Sequence, residues 1–232
     1  MSSTVYLVPC VLDDTATQTI PTYILDAVKD CQVIFAENER TTRRFLKSMD
    51  KSIIIDNYEW FAIHKIEEEQ KIIFIQKIKE GKNIAIISEA GCPGIADPGQ
   101  VLIEAAQQLN ATIKPLVGPS SILLALMASG MNGQQFQFVG YLPIDNNERI
   151  NAIRELETES KKKNSTQLFI ETPYRNNQLL ETLLKTCKPS TRICIAAELT
   201  SVNEYIKTKT VSDWKNMKTD FHKKPVIFLL QA

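Results

Sequence analysis

Histidine is scarce in this chain. His64 and His222 are the only two among 232 residues, which leaves little material for a histidine-based metal site or a Ser-His-Asp triad. Five cysteines, Cys10, Cys31, Cys92, Cys187 and Cys194, are scattered through apolar or loop contexts without a CxxC pair, so neither a zinc site nor a dithiol centre is indicated and free thiols are expected. No apolar run approaches the roughly 18 residues of a membrane helix, and the opening Met1-Ser2-Ser3-Thr4-Val5-Tyr6 lacks the basic segment and apolar core of a signal peptide. The expectation is a cytoplasmic protein with no membrane partner. Net charge is missing too: Lys and Arg together number 27, as do Asp and Glu, so no global positive field draws the chain onto nucleic acid and any RNA contact has to be local. Neither GxGxxG in the first strand-to-helix turn nor a Walker-type GxxxxGK[ST] occurs, which argues against those nucleotide sites.

What is present is an ordinary globular composition, 44% apolar and 23% charged, enough for one large domain or two small ones. The most telling stretch is Ser88-Glu89-Ala90-Gly91-Cys92-Pro93-Gly94-Ile95-Ala96-Asp97-Pro98-Gly99, directly after the apolar run Ile84-Ala85-Ile86-Ile87. Its three glycines permit backbone angles and close approach that side chains forbid, and its prolines limit the ordering entropy lost on binding. A plain strand-to-helix connection takes about 2 to 6 residues; this one is roughly twice as long and carries hardly any apolar side chain. It lies beyond the carboxyl end of a strand, where open α/β sheets bind ligands. Pro98 can open the following helix, whose Val101, Leu102, Ala105, Ala106 and Leu109 share a face.

Before residue 117, short β-rich runs alternate with helical patterns. Strands are predicted at Val5–Val8, Val33–Ala36, Ile53–Ile55, Ile84–Ile87 and Thr112–Leu116, with helices beginning near Pro21 and spanning His64 to Glu80. Continuously apolar strands separated by helices imply a parallel sheet covered on both sides. The pattern changes at Val117-Gly118-Pro119-Ser120-Ser121, so two α/β domains are expected, residues 1–117 and 118–232. In the second, helices are predicted at Ile122–Gly130, Glu148–Lys163 and Asn176–Cys187. Strands are predicted at Phe136–Gly140, Leu168–Ile170, Ile193–Ala196, Glu204–Lys207 and Val226–Leu229. The polar and apolar mixing of Tyr205 to Thr210 suits an antiparallel hairpin, which makes this sheet mixed. Two basic clusters, Arg40, Arg43, Arg44, Lys47 and Lys51, and Lys161 to Lys163, are candidate RNA contacts or simply solvated helix faces.

Seven separated motifs, in order, resemble the tetrapyrrole methylase superfamily of S-adenosylmethionine-dependent methyltransferases, and within it the ribosomal RNA small subunit methyltransferase I group. They are Tyr6-Leu7-Val8-Pro9, Ala36-Glu37-Asn38-Glu39-Arg40-Thr41-Thr42-Arg43, the loop from Ser88 to Gly99, Val117-Gly118-Pro119-Ser120-Ser121-Ile122, Gly140-Tyr141-Leu142-Pro143, Glu171-Thr172-Pro173-Tyr174-Arg175, and Ala196-Ala197-Glu198-Leu199-Thr200. The resemblance implies two α/β domains with the cofactor in the cleft between them, commonly in a homodimer. It assigns cofactor contact to Pro9, Ser88, Ala90, Gly91, Cys92, Ile95, Ser120, Ser121 and Ile122, and more loosely to Glu171, Ala197 and Pro225. Helix capping by Ser120 and Ser121, and core packing of Ile122 and Ala197, are the alternatives.

Methyl transfer from a sulfonium needs positioning more than acid or metal, because the leaving group is already activated. A ribose hydroxyl as acceptor also needs its proton at least partly removed. Glu37, Glu171 and Glu198 each follow a predicted strand. Glu37 and Glu198 are the candidates for orienting or deprotonating the acceptor, and Arg40, Arg43 and Arg175 those for holding an RNA substrate, with interdomain ion pairs as the alternative. Three departures bear on the acceptor: Pro9 is followed by Cys10-Val11-Leu12-Asp13-Asp14 where the group has Thr-Pro-Ile-Gly-Asn-Leu, Asn38 and Glu89 replace aspartates, and Tyr174 replaces a histidine. The reading is a methyltransferase acting on a ribosomal RNA ribose in the small subunit. Another acceptor, or a non-catalytic cofactor- or RNA-binding protein with the same fold, is the alternative.

Overall fold

The computed structural model describes residues 3–63 and 67–232. His64, and with it the start predicted for the third helix, lies outside the described residues. The chain divides into two compact units, Met1–Ser120 and Ser121–Ala232.

The first unit alternates strand and helix: β1 (Thr4–Val8), α1 (Tyr23–Lys29), β2 (Val33–Ala36), α2 (Glu39–Met49), β3 (Glu59–Ala62), α3 (Glu67–Lys79), β4 (Ile84–Ile87), α4 (Gln100–Gln108) and β5 (Thr112–Pro115). The five strands are parallel, in the order β3-β2-β4-β1-β5. Strand geometry sends alternate side chains to opposite faces. Ile34, Ala36, Ala85 and Ile87 therefore pack with Ile24 and Val28 of α1 and Phe45 and Leu46 of α2. Val33, Phe35, Ile84 and Ile86 pack on the other face with Phe74 of α3 and Leu102, Ala105 and Ala106 of α4. Both faces are covered, so β2 and β4 are buried at every position, which accounts for their unbroken apolar runs.

Two local expectations are corrected. Ile53–Ile55 is not a strand: Ile53 is buried in the core, Ile54 is 61% exposed, and a turn of 3-10 helix covers Ile55–Asn57. The edge strand comes later, at Glu59–Ala62, where Glu59 is exposed, the other three residues are only partly buried, and the run is not continuously apolar. Pro98 does not open α4 either. Gly99, at φ 110°, is the N-cap, and the helix begins at Gln100.

The second unit runs α5 (Ser121–Ser129), β6 (Phe136–Tyr141), α6 (Asn146–Lys163), β7 (Thr166–Ile170), α7 (Asn176–Thr186), β8 (Arg192–Ala197), β9 (Tyr205–Thr210), α8 (Val211–Trp214) and β10 (Val226–Gln231). Its sheet, β6-β7-β10-β8-β9, is mixed: β6 and β7 are parallel, while β10 pairs antiparallel with both β7 and β8. β8 and β9 form the predicted antiparallel pair. Phe169 stacks on Phe228 at 6.0 Å across β7 and β10. Trp214 is buried, and its indole N–H donates to the Ile193 carbonyl at 2.9 Å.

Candidate functional site

In the first unit, chain order makes the site. Adjacent strands β1 and β4 send their connections in opposite directions, to β2 on one side and to β5 on the other, so the loops at their carboxyl ends diverge and open the crevice where such sheets take ligands. The loops are tied at one point. Cys10 and Gly91 exchange both backbone hydrogen bonds, Cys10 N–H to Gly91 O at 2.8 Å and Gly91 N–H to Cys10 O at 3.1 Å. Gly91 holds φ 74° there, a region open to glycine at no steric cost. The segment after β5 joins from the third side. A Cβ at Gly118 would lie 2.2 Å from Pro9 Cβ, so the two backbones approach as only glycine allows, and Cys92 Sγ donates to the Pro119 carbonyl at 3.5 Å.

Residues named from the sequence occupy this cradle in different ways. Pro9 and Ser88 are buried, Ala90 is exposed, and Ile95 presents an unusually bare apolar side chain at 55% exposure. Gly91 contributes shape rather than hydrogen bonds, because Cys10 engages both its backbone groups.

The acidic groups cluster behind the loop. Glu37 follows β2, and its Oε2 accepts the Glu89 N–H at 2.7 Å. Asn38 caps α2 by accepting the Arg40 and Thr41 N–H groups at 3.1 and 3.3 Å, and its Nδ2 donates to Glu89 Oε1 at 3.2 Å. Asp97, which sequence reasoning passed over, joins them. Burial and the nearby Glu37 charge, with a smaller push from Glu89, drive its carboxyl up to about 6 against the lowering effect of a Ser88 hydrogen bond. The signal lay within the loop, a carboxylate among small residues, but its neighbours are distant in sequence.

The two arginines of α2 differ. Arg43 is paired with Glu39 at 2.6 Å and lies 4.8 Å from the Trp60 ring centroid, so it braces α2 against the edge strand. Arg40 is exposed, and its side chain makes no ion pair or hydrogen bond among the described residues. Arg44 pairs with Asp14 at 2.8 Å beside a cavity of about 250 Å³ that Cys10, Thr41 and Glu89 also line.

In the second unit the sequence-named residues gather at the carboxyl ends of β7 and β8. Glu171 is buried; its Oε1 accepts from Arg175 Nη2 at 2.7 Å and from the Thr172 N–H at 2.6 Å, while Oε2 is shielded and has no partner. Burial alone would raise this carboxyl, but the hydrogen bonds and charge of Arg175, with the Thr172 bonds, outweigh it and hold it below the usual range. Glu198 sits at φ 51° and accepts from Lys224 Nζ at 2.6 Å, and its N–H bonds the Pro225 carbonyl at 3.0 Å. Thr200 holds φ 70°, an outlier for a β-branched residue and a form of strain that concentrates at working loops. Pro225 is exposed, whereas the Ala197 side chain is wholly buried in the core. Ser121 begins α5, with Ile122 half-buried beside it and Ser120 half-buried just before it. Lys161 to Lys163 fill the last turn of α6, and Lys163 pairs with Glu159 at 2.6 Å, so this cluster complements the helix terminus.

A parallel sheet with its crevice at the β1/β4 reversal, followed by a mixed sheet of the order described, defines a class. Residues 18–214 match the family model of tetrapyrrole (corrin/porphyrin) methylases, and the chain belongs to that family. Among its relatives is a protein named ribosomal RNA small subunit methyltransferase I from Vibrio cholerae, 32% identical over 184 residues, covering 79% of this chain and 61% of that one. Proteins of the same name from Escherichia coli and Bacillus subtilis are both 31% identical, over 209 and 214 residues, covering 90% and 91% of this chain and 69% and 70% of theirs. The chain thus spans roughly three fifths to seven tenths of the relatives it matches. Two solved structures share the fold: the methyltransferase CobJ, with a TM-score of 0.65 at 17% identity over 99% of this chain and 93% of that one, and a uroporphyrin-III-C-methyltransferase from Thermus thermophilus, with a TM-score of 0.57 at 16% identity over 100% and 93%.

Proposed function

We propose that this chain is an S-adenosylmethionine-dependent methyltransferase that modifies a ribose hydroxyl of ribosomal RNA in the small subunit. The observation that carries the reading is the knot of Pro9, Gly91 and Gly118 at the strand reversal, a cradle nearly free of bulky side chains, in a chain 31% identical to proteins named ribosomal RNA small subunit methyltransferase I. The residues present fit the cofactor. Pro9, Ser88, Ala90, Gly91, Cys92 and Ile95 would hold it by close backbone and apolar contact, with Ser120, Ser121 and Ile122 on the segment that follows. Glu171 has a shielded oxygen for which a ligand donor would be the missing partner. S-adenosylmethionine supplies an activated methyl group, so the protein's task is alignment and proton removal.

For the proton, Glu37 and Asp97 are the candidate groups of the first unit. Glu37 is oriented by the Glu89 N–H, and Asp97 titrates near the pH where a general base works best. Glu198, paired with Lys224, is the candidate of the second unit. Arg40 is the phosphate contact, while Arg43 supports it structurally. The relatives' names place their substrate in the ribosome, which makes the cytoplasm the proposed compartment; among the described residues no helix is long and apolar enough to cross a membrane. A homodimer is proposed as well, its surface including Leu123 and Met127 of α5, which are 51% and 79% exposed.

The test is transfer of labelled methyl from S-adenosylmethionine to small ribosomal subunits that lack their ribose methylations. Label recovered in a ribose-methylated nucleotide supports the reading. Label found only in protein, or none with cofactor bound, replaces it with one of the alternatives.

A further inference from the structure

Tyr141 and Tyr174 are both strongly exposed, at 61% and 69%, although tyrosine usually buries most of its ring. Tyr141 ends β6, where its register partner is Ile170, the last residue of β7 and the neighbour of Glu171. Tyr174 follows in the loop from β7 to α7, fixed by a turn in which the Arg175 N–H bonds the Thr172 carbonyl at 2.9 Å. Arg175, which follows Tyr174 in the chain, lies near Tyr141 and is held by Glu171 at 2.7 Å.

The second ring is buttressed rather than loose. His222 meets Tyr174 edge-on, with centroids 5.8 Å apart and planes at 73°. Lys223 Nζ lies 5.9 Å from the Tyr174 centroid, and its backbone N–H bonds the Pro173 carbonyl at 2.9 Å from a left-handed φ of 62°. The charge arrangement has a direction. In the Arg175–Glu171 and Lys224–Glu198 pairs the cations are the outer members, with side chains 32% and 38% exposed against 1% and 22% for their carboxylates. Solvent therefore meets two flat rings, with Lys223 over the Tyr174 ring and the partly exposed cations Arg175 and Lys224 on the neighbouring loops.

We propose that Tyr141 and Tyr174 form a stacking platform for unpaired bases of single-stranded RNA, with Arg175, Lys223 and Lys224 bordering the backbone path. Rings at this exposure with cations at their margin are the elements by which proteins hold single strands without reading sequence. A duplex offers no free base faces and does not fit. The platform rests on the RNA methyltransferase reading and deepens it, because it requires the target to lie in, or be opened into, an unpaired segment.

The experiment measures affinity for a short single-stranded RNA carrying a fluorescent purine analogue, for its duplex, and for an abasic strand of equal length. The proteins are wild type, Tyr174→Ala, Tyr141→Ala, Tyr174→Phe and Lys223→Gln. Each alanine variant should bind the single strand roughly tenfold more weakly and lose quenching of the analogue, with an unchanged salt slope, while Tyr174→Phe retains both. Lys223→Gln should lower the salt slope instead. Wild-type and alanine variants that bind RNA equally would overturn the platform and leave the methyltransferase reading intact. Equal affinity for the abasic strand, or competition by an acidic peptide with no dependence on bases, would also overturn it. A wild-type protein that takes up cofactor but binds neither RNA form would overturn the platform and the RNA substrate together.

Discussion

Asn38 Nδ2 donates to Glu89 Oε1 at 3.2 Å, so two positions at which the resemblance to the ribosomal RNA methyltransferase group leads one to expect aspartates are hydrogen-bonded to each other. The pair joins the N-cap of α2 to the loop after β4. An amide there also avoids a fourth carboxylate beside Glu37, Glu89 and Asp97. Asn38→Asp should therefore lower stability at pH 8 by about 1 kcal/mol, since the donor is lost while the cap acceptor remains. The deficit should vanish near pH 4, and Glu89→Gln in the same protein should restore it. Melting of the single and double variants at both pH values is the check; an additive double variant would remove the coupling.

Gly118 has no room for a side chain, with Pro9 Cβ and Cγ 2.2 and 2.3 Å from where its Cβ would stand. Gly118→Ala must displace Pro9 or the segment after β5. A loss of about 1–3 kcal/mol in stability is expected, together with weaker cofactor binding. Thermal unfolding and calorimetry read the two effects, and an unchanged melting curve would show that the segment yields freely.

The pH dependence of Asp97 has a definite sign. Its folded value, raised to about 6, lies above the roughly 3.9 of an unfolded aspartate. The folded state thus binds more protons between those values, and stability falls as pH rises through that window. Asp97→Asn should stabilise the protein above pH 6 and have little effect below pH 4. A carbon-detected titration should show one aspartate carboxyl with its midpoint near 6; a midpoint near 4 would mean that neither burial nor the neighbouring Glu37 and Glu89 raises it.

Arg40 and Arg43 stand three residues apart on α2 yet should behave differently. Arg40→Ala should weaken RNA binding and lower its salt slope by about one counterion without affecting melting. Arg43→Ala removes the Glu39 pair and the contact with Trp60, so its effect should be mainly on stability, on the order of 1 kcal/mol. Equal losses of RNA affinity in both variants would return Arg43 to the substrate surface.

Much of the fold was legible because the physics is local. Val33–Ala36 and Ile84–Ile87 are buried on both faces and read as continuous apolar runs, and the mixed pattern of Tyr205–Thr210 marked an antiparallel strand. The edge was less legible. Three consecutive isoleucines suggested a strand at 53–55, but Ile53 serves the core from a loop and β3 is half solvated at Glu59–Ala62. The site was legible as a loop and not as a geometry. The Cys10–Gly91 bridge is made of backbone groups that no side-chain pattern announces. The perturbation of Asp97 arises from burial and from Glu37, which lies far earlier in the chain, after a different strand. Whether an arginine is exposed, like Arg40, or engaged, like Arg43, is likewise a tertiary fact.

Calorimetric titration of the purified protein with S-adenosylmethionine and with S-adenosylhomocysteine asks directly whether the proposed cradle after β1 and β4 receives the cofactor. Saturable binding of one molecule per chain is expected for both, lost or strongly weakened in Gly118→Ala. No heat of binding for either at millimolar ligand would contradict it and leave a methylase fold put to another use.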